Sequence, residues 1–274
     1  MSAFKSLSLT GASVLLVAIA NGCSQFPSLL QPDPSARSTA SGNAHSVGVM
    51  QLGEDPDAFQ SSVDPARRRA NVLLTRARLA MADGDTDTAL QLLESILKAD
   101  PDHAEASHLT AVLRTRSGDL EAAEAHFRTA LAADGDNPLL NSDYGYFCYL
   151  AGRWDDAERF LTRAAEIDPE LPQAQTNLGM LKARRGNSAA ARRHFRNAGC
   201  TDVEVLNNLA LARFLEEDFA AAETMYRQAH DLDPGHRNVN DGLRMTSQMT
   251  DSFAGERGPA MASFAVGSAR VGDR

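Results

Sequence analysis

Three cysteines and seven histidines are the side chains of this 274-residue sequence best suited to metal, redox or nucleophilic chemistry. Their spacing serves none of it. Cys23, Cys148 and Cys200 make no Cys-x-x-Cys pair and are too few for a disulfide scaffold. The histidines at 45, 103, 108, 126, 194, 230 and 236 offer no His-Glu-x-x-His or other paired-ligand spacing. Gly-x-Ser-x-Gly, the phosphate loop and Gly-x-Gly-x-x-Gly are all missing, so a hydrolase elbow or nucleotide site has no starting point. The expectation is a protein without catalysis, metal or cofactor. Basic residues number 27 against 36 acidic ones, a net charge of −9, and aromatics make up 6%. That balance argues against nucleic-acid binding and against a polybasic membrane patch. A composition rich in alanine and poor in aromatics suits close-packed helices.

Cys23 stands apart by position, because it follows an apolar stretch. Residues 1–22 carry one basic residue, Lys5, then an apolar run strongest over 13–20, then Asn21-Gly22. The run is shorter than the ~20 apolar residues that span a bilayer, and it reads as an export signal. Two cleavage readings are open. Ala18-Ile19-Ala20 has the form of a site that releases a soluble periplasmic or secreted protein. Ala20-Asn21-Gly22-Cys23 resembles a bacterial lipobox, although Leu is usual where Ala20 stands. That resemblance implies a lipid on the Cys23 thiol, and Ser24 after it is similar to outer-membrane lipoproteins facing the periplasm. Residues 23–66 are biased to Ser, Pro, Gly and Ala without a helical or alternating period, as expected of a disordered tether. Its 41 residues from Ser24 to Asp64 would span on the order of 35 Å root-mean-square. Residues 250–274 have a similar bias and are expected to be disordered.

Between these segments the sequence repeats. Gly84, Gly118, Gly152 and Gly186 recur every 34 residues, and a fifth copy follows at Glu217 after 31. When units are counted from Ala70, Ala104, Pro138, Pro172 and Val203, slot 8 is Ala or Gly, and slot 20 is Ala in all five. Slot 24 is large: Leu93, Phe127, Leu161, Phe195 and Tyr226. Small residues let two helix backbones approach, and the large one fills the space beside them. Slot 15 glycines permit a left-handed turn, Asp85, Asp119 and Asp218 start a second helix, and Asp-Pro at 100–101, 168–169 and 233–234 ends it. Each unit is therefore a helical hairpin with one bare face that stacking buries.

These slots resemble the tetratricopeptide repeat family over residues 67–249. The resemblance implies an all-α, right-handed superhelical solenoid of about five hairpins, with a capping helix near Arg237. In that family the concave face comes mainly from first helices, and slots 9, 12 and 13 supply Tyr146, Tyr149, Met180, Arg184, Leu211 and Phe214. Aromatic and Met side chains with Arg at the margin suit a groove for a partner protein or peptide segment, although slots 12 and 13 also serve packing between repeats. Cys148 and Cys200 are expected as buried small side chains, too far apart for a disulfide to each other. Signal, lipid cysteine, tether and array together resemble lipoproteins that assist pilus and secretin assembly, the tight-adherence and pilotin kinds. A soluble exported adaptor for envelope enzymes is the alternative.

Overall fold

A computed structural model describes residues 64–256, which form eleven α-helices and no strand. The export segment, Cys23, most of the expected tether and the last eighteen residues lie outside the described residues. Five hairpins follow in order: α1 (Pro65–Ala82) with α2 (Thr86–Ala99), α3 (Ala104–Arg116) with α4 (Leu120–Ala133), α5 (Pro138–Leu150) with α6 (Trp154–Ile167), α7 (Pro172–Arg184) with α8 (Ser188–Asn197), and α9 (Asp202–Leu215) with α10 (Phe219–Leu232). A single helix, α11 (Arg237–Glu256), closes the array. The helical body is longer than expected at both ends. Asp64 accepts the Ala66 amide and Pro65 pre-sets the first turn, so α1 starts inside the expected tether. At the other end the Thr246 and Thr250 hydroxyls donate to carbonyls one turn back, and α11 runs on to Glu256 through residues that read as tail.

Local sequence sets the hairpins. Asp85, Asp119, Asn187 and Asp218 each accept an amide of their helix's first turn, as an N-cap should. Arg153 fills that position before α6 without capping; its guanidinium instead reaches Glu124 at 2.7 Å and Asp156 at 3.0 Å. Burial opposes the charge on Glu124, yet Arg153 outweighs it and holds this carboxyl below the usual range. The four turn glycines have φ between 73° and 79°, and Glu217, alone among non-glycine residues described, follows them at 62°. Asp100, Asp168 and Asp233 leave the helical region before their prolines. The missing three residues of the fourth unit fall at the end of α8, which has 10 residues where the other second helices have 14 and stops at Gly199, φ 84°.

Packing makes two layers. Each first helix from α3 onward also meets the first helices beside it, whereas second helices pack on first helices alone and lie outside. An outer helix buries one narrow stripe, such as Ala123, Phe127 and Ala130 or Ala157, Leu161 and Ala164. Slot 8 shows why it must be small: a Cβ on Gly145 would sit 2.7 Å from Leu161 Cγ, and one on Gly179 would sit 2.5 Å from Phe195 Cε1. Gly242 in α11 repeats the arrangement, 2.4 Å from Tyr226 Cζ, so the last helix caps the array as the start of a sixth unit would.

The left-handed turn gives a paired test. A non-glycine residue in this region costs about 1–2 kcal/mol. Glu217→Gly should move the chemical denaturation midpoint upward and Gly186→Ala should lower it, each by about 1 kcal/mol. Equal midpoints for parent and both variants would show that the turn stores no strain.

Candidate functional site

The inner layer departs from ordinary amphipathic packing. α5, α7 and α9 are buried on nearly every side, and much of what they bury is polar. Read across units, slots 5 and 6 place His108, Ser142, Asp143, Thr176, Asn177, Asn207 and Asn208 in one row along the array. At the amino-terminal end the row is bonded from unit to unit. His108 Nε2 lies 2.7 Å from Asp143 Oδ2, Gln173 Nε2 donates to Asp143 Oδ1, and Asn177 Nδ2 donates to Ser142 Oγ at 3.3 Å. Asp143 is 1% exposed, so these bonds fix three successive inner helices at atomic contact.

Towards the carboxyl end the pairing stops. Thr176 Oγ1, Asn177 Oδ1 and both amide atoms of Asn207 and of Asn208 have no hydrogen-bond partner, though all four side chains are buried. A buried unpaired polar group costs about 1–3 kcal/mol, so the two asparagines alone are a sizeable local penalty. Nothing in the helical packing requires amides there. Leucine or alanine would fill the same slots at lower cost, and what the amides offer instead is a row of paired donors and acceptors.

The residues singled out by slots 9, 12 and 13 lie beside this row but are not projecting anchors. Tyr146, Tyr149, Met180, Leu211 and Phe214 are between 1% and 8% exposed, because the inner helices close on one another. Tyr146 and Tyr149 stack with centroids 6.0 Å apart, Met180 and Leu211 share one apolar cluster, and Phe214 packs edge-on to Phe219 at 5.3 Å. Arg184 lies over the Trp154 ring at 5.8 Å, with Nε 4.0 Å from Glu216. Tyr146, Met180 and Leu211, at slot 9 of successive inner helices, form a floor one helical turn along from the amide row. Burial pushes both tyrosine hydroxyls above their usual range, with Tyr149 adding to the rise at Tyr146 and Arg184 opposing it at Tyr149. They stay neutral. The Cys148 thiol is pushed up to about 11 by burial, which leaves it unreactive. Among the described residues no group of three or more His, Cys, Asp or Glu is placed to hold a metal ion.

The aromatic and Met residues at slots 9, 12 and 13 stand out in the sequence, whereas slot 5, also a concave-face slot in this family, and slot 6 beside it contribute no residue to the expected groove. The signal was available: Ser-Asp, Thr-Asn and Asn-Asn occupy slots 5 and 6 of three successive units. Short polar residues in mid-helix run against helix propensity, and recurring at one slot they ask for a reason.

Stacked hairpins with an inner polar row and an outer apolar stripe place the chain among helical-repeat solenoids. It belongs to the tetratricopeptide repeat family, whose models match residues 74–138, 114–184, 172–197 and 203–236. Among curated proteins it is similar to the type IV pilus assembly protein PilF of Pseudomonas aeruginosa, 29% identical over 178 residues that make up 61% of this chain and 69% of PilF. A second protein of that organism, the TPR repeat-containing protein PA4667, is 27% identical over 55% of this chain, which spans 26% of its length. Solved structures of the same fold include Pseudomonas aeruginosa PilF, with a TM-score of 0.52, 22% identity and coverage of 75% of this chain and 96% of that one. PilW, described as a widely conserved type IV pilus biogenesis factor, gives 0.52 at 19% identity, covering 73% and 95%.

The bonded half of the row should be structural. Asp143→Ala would take away the acceptor shared by His108 and Gln173 and should cost about 3 kcal/mol, read as a lower thermal midpoint with helical signal retained below it. A midpoint within error of the parent would remove Asp143 from the set of bonds joining the units.

Proposed function

We propose that this protein is a non-enzymatic adaptor of the bacterial envelope, held to the outer membrane by a lipid on Cys23 and facing the periplasm. Its inner face would grip an extended segment of a partner protein while an envelope assembly such as a pilus or secretin is built. The observation that carries the reading is the run of buried amide atoms without partners, Asn177 Oδ1 and both amide atoms of Asn207 and of Asn208, beside the floor of Tyr146, Met180 and Leu211. An extended segment carries one N–H and one C=O per residue, the complement a side-chain amide satisfies with both of its atoms. The floor gives its side chains apolar contact. Because the row is closed, entry requires neighbouring units to hinge apart, and a solenoid held by nearest-neighbour interfaces can do this without unfolding. Similarity to PilF supports the choice of a pilus-type machine, and the Cys23 motif supports the anchor.

Function and stability should separate at the amides. Asn207→Ala with Asn208→Ala removes unpaired polar atoms and should leave the melting temperature unchanged or raised, while capture of partners by cross-linking in envelope fractions falls at least tenfold. A double variant that captures the parent's partners in full moves the binding surface elsewhere. The anchor has its own test. Replacing Cys23 with Ala should shift the protein from the membrane to the soluble fraction; a parent protein already soluble supports cleavage after Ala20 instead.

A further inference from the structure

Whole-chain charge conceals a local reversal in the first helix. α1 carries Arg67, Arg68, Arg69, Arg76 and Arg78 and no acidic residue, in a chain of net charge −9. Leu74 and Ala77 turn one side of α1 to the core. On the opposite side Arg69, Val72, Arg76 and Leu79 follow at intervals of three, four and three, which aligns them along one face of the helix. All four are exposed, Val72 at 60% and Leu79 at 52%. Arg78, off this face, pairs with Glu105, whereas neither Arg69 nor Arg76 has an ion-pair partner among the described residues. The stripe is not packed into the core, and two large apolar side chains in water alternating with two unneutralised guanidiniums ask for a surface that is both anionic and apolar.

We infer that the outward face of α1 is a docking surface for an anionic lipid bilayer. Guanidinium groups take phosphate oxygens in pairs at headgroup depth, and the valine and leucine alternating with them would reach the acyl boundary beneath. An acidic protein face would neutralise the arginines but would gain little from Val72 and Leu79, which alternate with them along the face. Location favours the bilayer as well. α1 is the first described helix after Cys23, separated from it by 41 residues, and so it is the end of the array that a lipid on Cys23 would keep near the membrane. The inference rests on the anchored reading for this placement, while the chemistry of the stripe is independent of it.

The test uses the full chain carrying Cys23→Ala, so that no lipid is attached, with vesicles of phosphatidylethanolamine with or without phosphatidylglycerol. Amide hydrogen exchange over residues 65–82 is read together with vesicle co-sedimentation, because the apolar run at 13–20 could bind vesicles by itself and only the exchange signal is local to α1. Phosphatidylglycerol vesicles should slow exchange in α1, phosphatidylethanolamine alone should not, and high salt should abolish the protection. Arg69→Glu with Arg76→Glu should weaken the protection at least tenfold in lipid concentration, since each arginine near an anionic surface accounts for roughly fivefold. Leu79→Ser should weaken it less. Arg237→Glu, a charge reversal on a side chain 91% exposed in α11 at the far end, should leave it unchanged. Equal protection of parent and doubly reversed chain overturns the inference. So does protection of α1 by polyglutamate but not by phosphatidylglycerol, which would assign the stripe to an acidic protein. Whether Cys23 is lipidated is read separately by fractionation, so either idea can fail without the other.

Discussion

The array depends on helix backbones approaching more closely than ordinary side chains allow. Where Gly145 faces Leu161 and Gly179 faces Phe195, the space of a missing Cβ is occupied by the neighbouring side chain itself. The trade is local: each unit gives up volume at slots 8 and 20 and recovers it at slot 24, whose residue lies against its own unit and the next. The turns, caps and Asp-Pro stops only have to deliver helices of matched length to these crossings. α11 follows the same rule with Gly242 under Tyr226, which is why the stack ends on a single helix without exposing a bare apolar face.

Because that rule repeats in the chain, most of the fold could be read from one sequence. Period, turn glycines, caps and stops are local chemistry, and they appear where the spacing put them. What could not be read that way depends on the second layer. Tyr146 and Phe214 look like groove anchors when slots are taken one by one, but they are enclosed once the first helices of neighbouring units meet. The amide row was hidden for the opposite reason: short polar residues look like surface until the fold closes over them. At the ends, α1 and α11 extend into segments whose Ser, Asp and Pro read as loop: Asp64 caps α1 and Pro65 fits its first turn, and α11 continues to Glu256.

The inner row divides into two regimes along one array. From His108 to Asn177 each polar group mostly finds a partner one unit away, and the bonds stiffen that part of the stack. At Asn207 and Asn208 the same kind of side chain is left unpaired and costs stability. Their burial therefore reads as retention for something other than folding. The bonded part also gives the unpaired part a fixed frame from which to present its amides.

The boundary between these regimes falls beside the shortest outer helix. α8 ends four residues early, at Gly199, and each residue of helix advances about 1.5 Å. The outer layer is thus shorter on one side of the junction between the fourth and fifth units, as a spiral stair would be with one narrow tread. The fifth unit therefore begins 31 residues after the fourth where the units before it keep 34, so the stack turns from α7 to α9 across a shorter outer helix than at any other junction between hairpins.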